Sequence, residues 1–206
     1  MSHVQDRYFY APREGHGLKH NPIASIVGPR PIGWISTVCE DGSLNLAPYS
    51  FFGIFNYAPP IVAFASAGMK DTLRNAIRQG EFVVNVVTQP LAQAMNLSSS
   101  SIVGSEFELT QLESAPSTRI ATPRVAASPV SLECQVLEDF PLRDRQHDPV
   151  GSHFLLAEVI GVSIERTLIV DGVFNWGQTR TVVRAGGAAD YHWIGADNLL
   201  RMRRPD

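Results

Sequence analysis

The chain has 206 residues, the length of one sizeable domain, and its 44% apolar and 18% charged residues supply a core and exclude a disordered chain. With 17 Lys+Arg against 20 Asp+Glu the formal charge is −3, so no overall field gathers nucleic acid or an anionic membrane surface. Cys39 and Cys134 are the two cysteines and have no CxxC spacing, which excludes a disulfide-dense scaffold and a thiolate zinc site and fits a reducing cytoplasm.

Residues 1–20 are polar, broken by Pro12, Gly15 and Gly17, and lack the apolar run of a signal peptide. They have no periodicity and read as an arm lying on the surface or on a partner subunit. No stretch approaches the roughly 20 apolar residues of a membrane span, so the expected location is cytoplasmic. Pro31–Cys39 alternates like a strand and runs into Glu40-Asp41-Gly42-Ser43, whose Asp-Gly pair signals a hairpin. The return strand is expected from Leu44 to about Phe55, with Pro48 marking an edge, a bulge or a break, because proline has no N–H to give. After Pro59-Pro60, Ile61–Ser66 is an apolar run of strand length. Asp71–Gln79 is expected to be a helix, capped by Asp71 or Thr72, with Leu73, Ala76 and Ile77 on one face and Gly80 as its stop. Phe82–Val87 reads as a strand and Pro90–Leu97 as a second helix. From Ser98 to Pro123 small polar residues dominate, which predicts a long excursion. Strands resume at Val130–Leu137 and His153–Ile164, separated by a polar segment with Arg143, Arg145, His147 and Asp148. This order predicts a mainly β chain with a few helices, a barrel and not alternating βαβ units.

Several constellations fail on inspection. Gly28-Pro-Arg-Pro-Ile-Gly33 has P-loop glycine spacing, yet Trp34 and Ile35 stand where lysine and Ser/Thr are required. Phe64-Ala-Ser-Ala-Gly68 lacks the first glycine of a nucleophile elbow. No GxGxxG follows a strand, and no HExxH occurs among the six histidines. No metal is expected.

Two segments remain. Lys70-Asp-Thr-Leu-Arg-Asn75 puts a cation and capping groups where a helix begins, and the unpaired N–H groups and dipole there attract a phosphate. The same residues also suit an ordinary capped surface helix. Arg30–Thr37, with Trp34, and its partner Asn45–Phe52 combine aromatic surface with a backbone interrupted at Pro48. Freed N–H and C=O groups there suit the edge of a planar heterocycle, although the pair also suits a hairpin packed in a core.

Taken together with Asn21-Pro22, Ser36-Thr37, Phe82–Asn85, Gly151-Ser-His153 and Arg184-Ala-Gly-Gly187 followed by Asp190-Tyr191, these segments resemble the flavin reductase-like family with the FMN-binding split-barrel fold. The resemblance implies a homodimer, with residues 21–190 forming the split-barrel domain and 191–206 a basic tail. It implies FMN rather than FAD, and NADH or NADPH as co-substrate. Trp34, Ser36 and Thr37 and the run Ala47, Pro48, Tyr49, Ser50, Phe51 and Phe52 would line the flavin. Ser66, Lys70, Asp71 and Thr72 would surround its phosphate, and Asn85 would lie near the ring. His153 matches a histidine near flavin and nicotinamide in related reductases, and equally suits a structural role at a strand start. The implied activity is hydride transfer from NAD(P)H to flavin, which needs no triad because the cofactors carry the chemistry. A flavin-dependent monooxygenase is the recipient that the family suggests. The alternative is a non-enzymatic FMN electron carrier reduced by a partner protein.

Overall fold

The computed structural model describes residues 6–100 and 104–205. The first five residues of the arm, residues 101–103 of the expected excursion and the last residue of the tail lie outside it. In chain order the elements are the single turn α1 (Ile23–Ile26), β1 (Arg30–Pro31), β2 (Gly33–Val38), β3 (Leu44–Tyr49), β4 (Phe52–Tyr57), β5 (Pro60–Ala67), α2 (Asp71–Gln79) and β6 (Glu81–Asn85). There follow α3 (Ala92–Leu97), α4 (Glu106–Thr110), β7 (Ser114–Ala115), β8 (Arg124–Val125), β9 (Val130–Arg143) and β10 (Pro149–Ile164). The short strands β11 (Ile169–Val170), β12 (Val173–Phe174), β13 (Thr181–Arg184) and β14 (Tyr191–Ile194) complete the chain.

Seven strands form one antiparallel sheet in the order β3-β2-β6-β9-β10-β5-β4. Its two edges, β3 and β4, are joined by Ser50 and Phe51 alone. A two-residue link between opposite edges requires the sheet to curl until they meet, so the sheet is a barrel left open along the β3–β4 seam. The expected single return strand from Leu44 is therefore two strands: pairing with β2 runs through Pro48 to Tyr49, and the chain then turns the corner at Ser50 and Phe51. Beyond the Phe52–Phe64 pair, β5 runs on through Ala65, Ser66 and Ala67 with no strand neighbour on that side. The end of β5 and the free edge of β3 thus bound a gap.

Alternation sets two cores. Ile35, Tyr49, Phe64, Phe82, Val84, Cys134 and Leu155 fill the barrel, which α2 caps with Leu73 and Ala76. Tyr49, Phe64 and Phe82 form an aromatic file with ring centroids 4.7 and 5.6 Å apart. The opposite faces of β2 and β3 send Trp34 and Leu46 outward, beneath Met95 of α3 and Phe107 of α4. This explains why β2 is buried on both faces and why the expected excursion is partly ordered: Phe107 anchors a helical turn within it, and β7 pairs with β8. The later strands extend past their expected ends into one long β9–β10 hairpin of 14 and 16 residues. The N-terminal arm lies on the tip of this hairpin through an Arg13–Asp144 ion pair of 2.8 Å and an Arg13–Gln146 hydrogen bond of 2.7 Å. The second helix begins as a 3-10 turn over Gln89–Leu91 before α3. Tyr191–Ile194 pairs with β13, so ordered sheet continues past residue 190. No helix among the described residues is long and apolar enough to cross a membrane.

Candidate functional site

A cavity of about 600 Å³ occupies the gap between β3 and the end of β5, where α2 begins. Its walls are Asn45, Ala47, Pro48 and Tyr49 of β3, the Ser50-Phe51 corner, and Ala65 and Ala67 of β5. Lys70, Asp71, Thr72 and Arg74 close one end, and Ser98, Ser99, Ser100 and Glu106 lean over it. The floor at β5 is small by alternation. Phe64 and Ser66 face the barrel, while Ala65 and Ala67 face the cavity and leave room for a flat group against the strand.

Lys70, not Asp71 or Thr72, is the residue that precedes the first turn of α2, and no side chain caps that turn. Asp71 is the first residue of the helix, and its carboxylate pairs with Arg74 at 2.7 Å, one turn on, and leaves the backbone donors free. The Thr72 hydroxyl accepts from Asn45 Nδ2 at 2.9 Å. Asn45 Nδ2 also reaches Thr37 Oγ1 at 3.1 Å, and Asn75 Nδ2 reaches the same oxygen at 3.3 Å. This buried network fixes the start of α2 against β2 and β3. The helix therefore presents unpaired N–H groups and an ammonium, but no blocking cap, at one end of the cavity, which is the arrangement that receives an anion. Glu106 is held aside, its carboxylate accepting from Leu46 N at 3.0 Å.

Of the residues expected from the sequence, Ala47, Pro48, Tyr49, Ser50, Phe51, Lys70, Asp71 and Thr72 line this cavity. Trp34, Ser36, Thr37, Phe52, Ser66 and Asn85 do not. Asn85 is wholly buried and saturated: Nδ2 donates to Trp34 O and Ser36 Oγ, and Oδ1 accepts from Val125 N and Ser131 Oγ, at 2.9–3.2 Å. Trp34, also fully buried, donates from Nε1 to Ser98 Oγ at 2.9 Å. Ser36 Oγ donates to Pro123 O, and Ser66 Oγ to Gly68 O. These groups stand behind the walls and hold them in place. The hydroxyl of Tyr49 meets Thr72 and Ser66, and burial pushes its pKa up.

His153 lies opposite Ser66 in the β5–β10 register. Paired residues share a face, so it stands across β5 from the cavity-facing alanines. Its Nδ1 is buried and has no hydrogen-bond partner among the described residues. Sequence reasoning missed Asn45, Ala65, Ala67, Arg74, Ser98–Ser100 and Glu106 as wall residues. Ile61–Ser66 read as a strand, and its period of two carried on to Ala67 puts Ala65 and Ala67 on one face, whereas Glu106 sat in a stretch that read as loop.

The sequence profile of the Flavin reductase like domain matches residues 28–177, a span that contains β2 through β10 and the cavity. A protein of Deinococcus radiodurans is 35% identical over 206 residues, covering 93% of this chain and 86% of the relative. The crystal structure of nitrilotriacetate monooxygenase component B from Bacillus cereus superposes with a TM-score of 0.79 at 28% identity, covering 89% of this chain and 98% of that one. A Shewanella frigidimarina structure described as a flavin reductase with a split barrel domain gives a TM-score of 0.77 at 22% identity, over 89% and 90% of the two chains, and shows the shared fold.

Proposed function

Since the chain belongs to the flavin reductase-like family, we propose that it binds FMN in the β3–β5 cavity and transfers a hydride from NADH or NADPH to that flavin. The observation that carries this reading is the uncapped start of α2 with Lys70 beside it, at one end of a cavity whose floor is two alanines. A flavin mononucleotide needs both parts: an anion site for its phosphate and a slot for a flat ring. The volume lies within the usual 300–1,000 Å³ of a small-molecule site, by a rough general scale.

Lys70 and the first N–H groups of α2 would hold the phosphate, with charge-assisted hydrogen bonds and the favourable end of the helix dipole. The Pro48–Phe51 backbone at the corner would border the ring, and Ala65 and Ala67 would let it approach β5. Trp34, Ser36, Thr37, Ser66 and Asn85 act one layer behind, fixing the strands that carry those contacts. When bound, the flavin supplies two-electron chemistry with the nicotinamide, and the protein contributes orientation and exclusion of water. The likeness to a monooxygenase component B favours an oxygenase as the recipient of the reducing equivalents such a site would supply.

A homodimer belongs to this reading. The edge strand β4 exposes Ile54, Phe55 and Tyr57, an apolar row that a second copy covers. Within one chain His153 stands off the cavity, so its role beside the nicotinamide depends on the second subunit bringing it there. The decisive experiment is anaerobic stopped-flow mixing of the FMN-loaded protein with NADH and with NADPH. Bleaching of the flavin absorbance within seconds is expected with one of them, slowed in His153→Ala without more than about a twofold change in FMN affinity. A flavin that neither nicotinamide reduces rejects the reductase reading in favour of an electron carrier, and sedimentation of the loaded protein as a monomer rejects the dimer.

A further inference from the structure

Arg30 and Arg184 are directly opposed in the β1–β13 pair, and neither makes an ion pair with an acidic side chain among the described residues. Like charges at facing positions of antiparallel strands repel. Here both guanidinium groups are nevertheless held in place by backbone carbonyls. Arg30 donates from Nε to Ser50 O at 3.2 Å and from Nη1 to Ala24 O and Val27 O. Arg184 donates from Nη2 to Ala188 O at 2.7 Å and Gly187 O at 3.3 Å, and its guanidinium lies 4.6 Å from the centre of the Tyr191 ring. Arg30 Nη2, and Arg184 Nε and Nη1, keep donors with no protein acceptor among the described residues.

Both side chains line one cavity of about 250 Å³ whose walls hold no acidic residue. The turn that carries Arg184 is pinned there. A side chain at Gly186 would strike Ser25 of α1, and Gly187 N donates to Ser25 Oγ at 3.2 Å. Pro48, Ser50 and Ser99 are shared with the Lys70 cavity on one side, and Met95, Arg184 and Tyr191 with a cavity of about 880 Å³ on the other. The larger one is again free of acidic side chains, and Trp193 and His192 extend the aromatic surface begun by Tyr191.

We propose that the Arg30–Arg184 pair is a second anion site, separate from the Lys70 end, which takes the phosphate or carboxylate group of an aromatic small molecule whose ring lies on the Tyr191 side. Two opposed guanidinium groups with spare donors match a multi-oxygen anion, which removes the repulsion between them. The inference goes beyond the flavin reading and does not depend on it.

Calorimetry on the full chain, with and without FMN, tests it with two aromatic probes, ADP-ribose for a phosphate-bearing nucleotide and benzoate for an aromatic carboxylate, and with inorganic phosphate as the anion alone. At least one is expected to bind, identifying the source, and Arg184→Gln is expected to weaken that probe by about 10- to 100-fold. Lys70→Ala is expected to leave it within about twofold. Because Arg184 also braces its own turn, Tyr191→Leu serves as a second variant, expected to weaken the aromatic probe while inorganic phosphate binding stays unchanged. The proposal is overturned if neither probe binds, if Arg184→Gln does not change binding, or if Lys70→Ala abolishes it. Absence of FMN binding or of nicotinamide oxidation would reject the flavin reading and leave this result standing.

Discussion

Lys70 and Lys19 are the two lysines of the chain, and Arg74, the other cation at the start of α2, is paired with Asp71, so little else can replace the Lys70 ammonium there. Lys70→Ala is expected to weaken FMN binding by ~10- to 100-fold, the value of a charge-assisted hydrogen bond, and to leave riboflavin binding nearly unchanged. Fluorescence titration with both flavins reads the difference, and equal losses would move the phosphate elsewhere. Asn85 illustrates the opposite kind of residue. Its type and its place in Phe82–Asn85 suggested contact with the ring, yet its amide is spent on four internal partners. Asn85→Ala leaves Val125 N without its acceptor and is expected to cost about 3 kcal/mol in urea unfolding. From the sequence alone a saturated amide and a free one look identical, because the partners come from β2, β8 and β9, 40 to 51 residues away.

At the scale of elements, α2 was legible almost to the residue, since Leu73 and Ala76 mark its buried face and Gly80 its end. Gly80 adopts φ +72, and nothing lies within 4 Å of where its Cβ would stand. Gly80→Ala is therefore expected to destabilise by about 1 kcal/mol through backbone strain alone. Thermal unfolding measures this, and FMN affinity should not change because the anion site is at the other end of the helix. The β2–β3 hairpin was equally legible from Asp41-Gly42. The break between β3 and β4 was announced by Pro48 but not decided by it, since an edge, a bulge and a corner share the same signal. The α4 turn was hidden because a single buried Phe107 in a polar stretch has no periodicity to reveal it.

For the whole molecule, the barrel interior sets a limit on alkaline conditions. Burial raises the pKa of the Cys134 thiol above its ordinary 9.0 and that of Tyr49 above its ordinary 10.0. In that range the folded chain holds protons that the unfolded chain has released, so this stability is fully present below about pH 9 and is lost as the pH rises. Urea midpoints measured between about pH 8 and pH 11 are expected to fall, and to fall less steeply in a Cys134→Ala, Tyr49→Phe double variant. The fold class followed from the order of strands and helices. The site could be read only in part, because the gap that makes it depends on which strands become edges, and edge identity is a property of the closed sheet.

The link of Ser50 and Phe51 between the two sheet edges has a dynamic consequence. Along the seam, β3 has a strand neighbour on one side only, so its outward amides are protected by local packing and not by a ladder. Amide hydrogen exchange in residues 47–52 should accordingly proceed through small openings in the free protein. If FMN sits in the gap as proposed, it would take the place of the missing neighbour, and exchange there should slow severalfold while the β9–β10 hairpin keeps its rates. On that reading the open seam would make cofactor occupancy and the closing of the barrel one equilibrium.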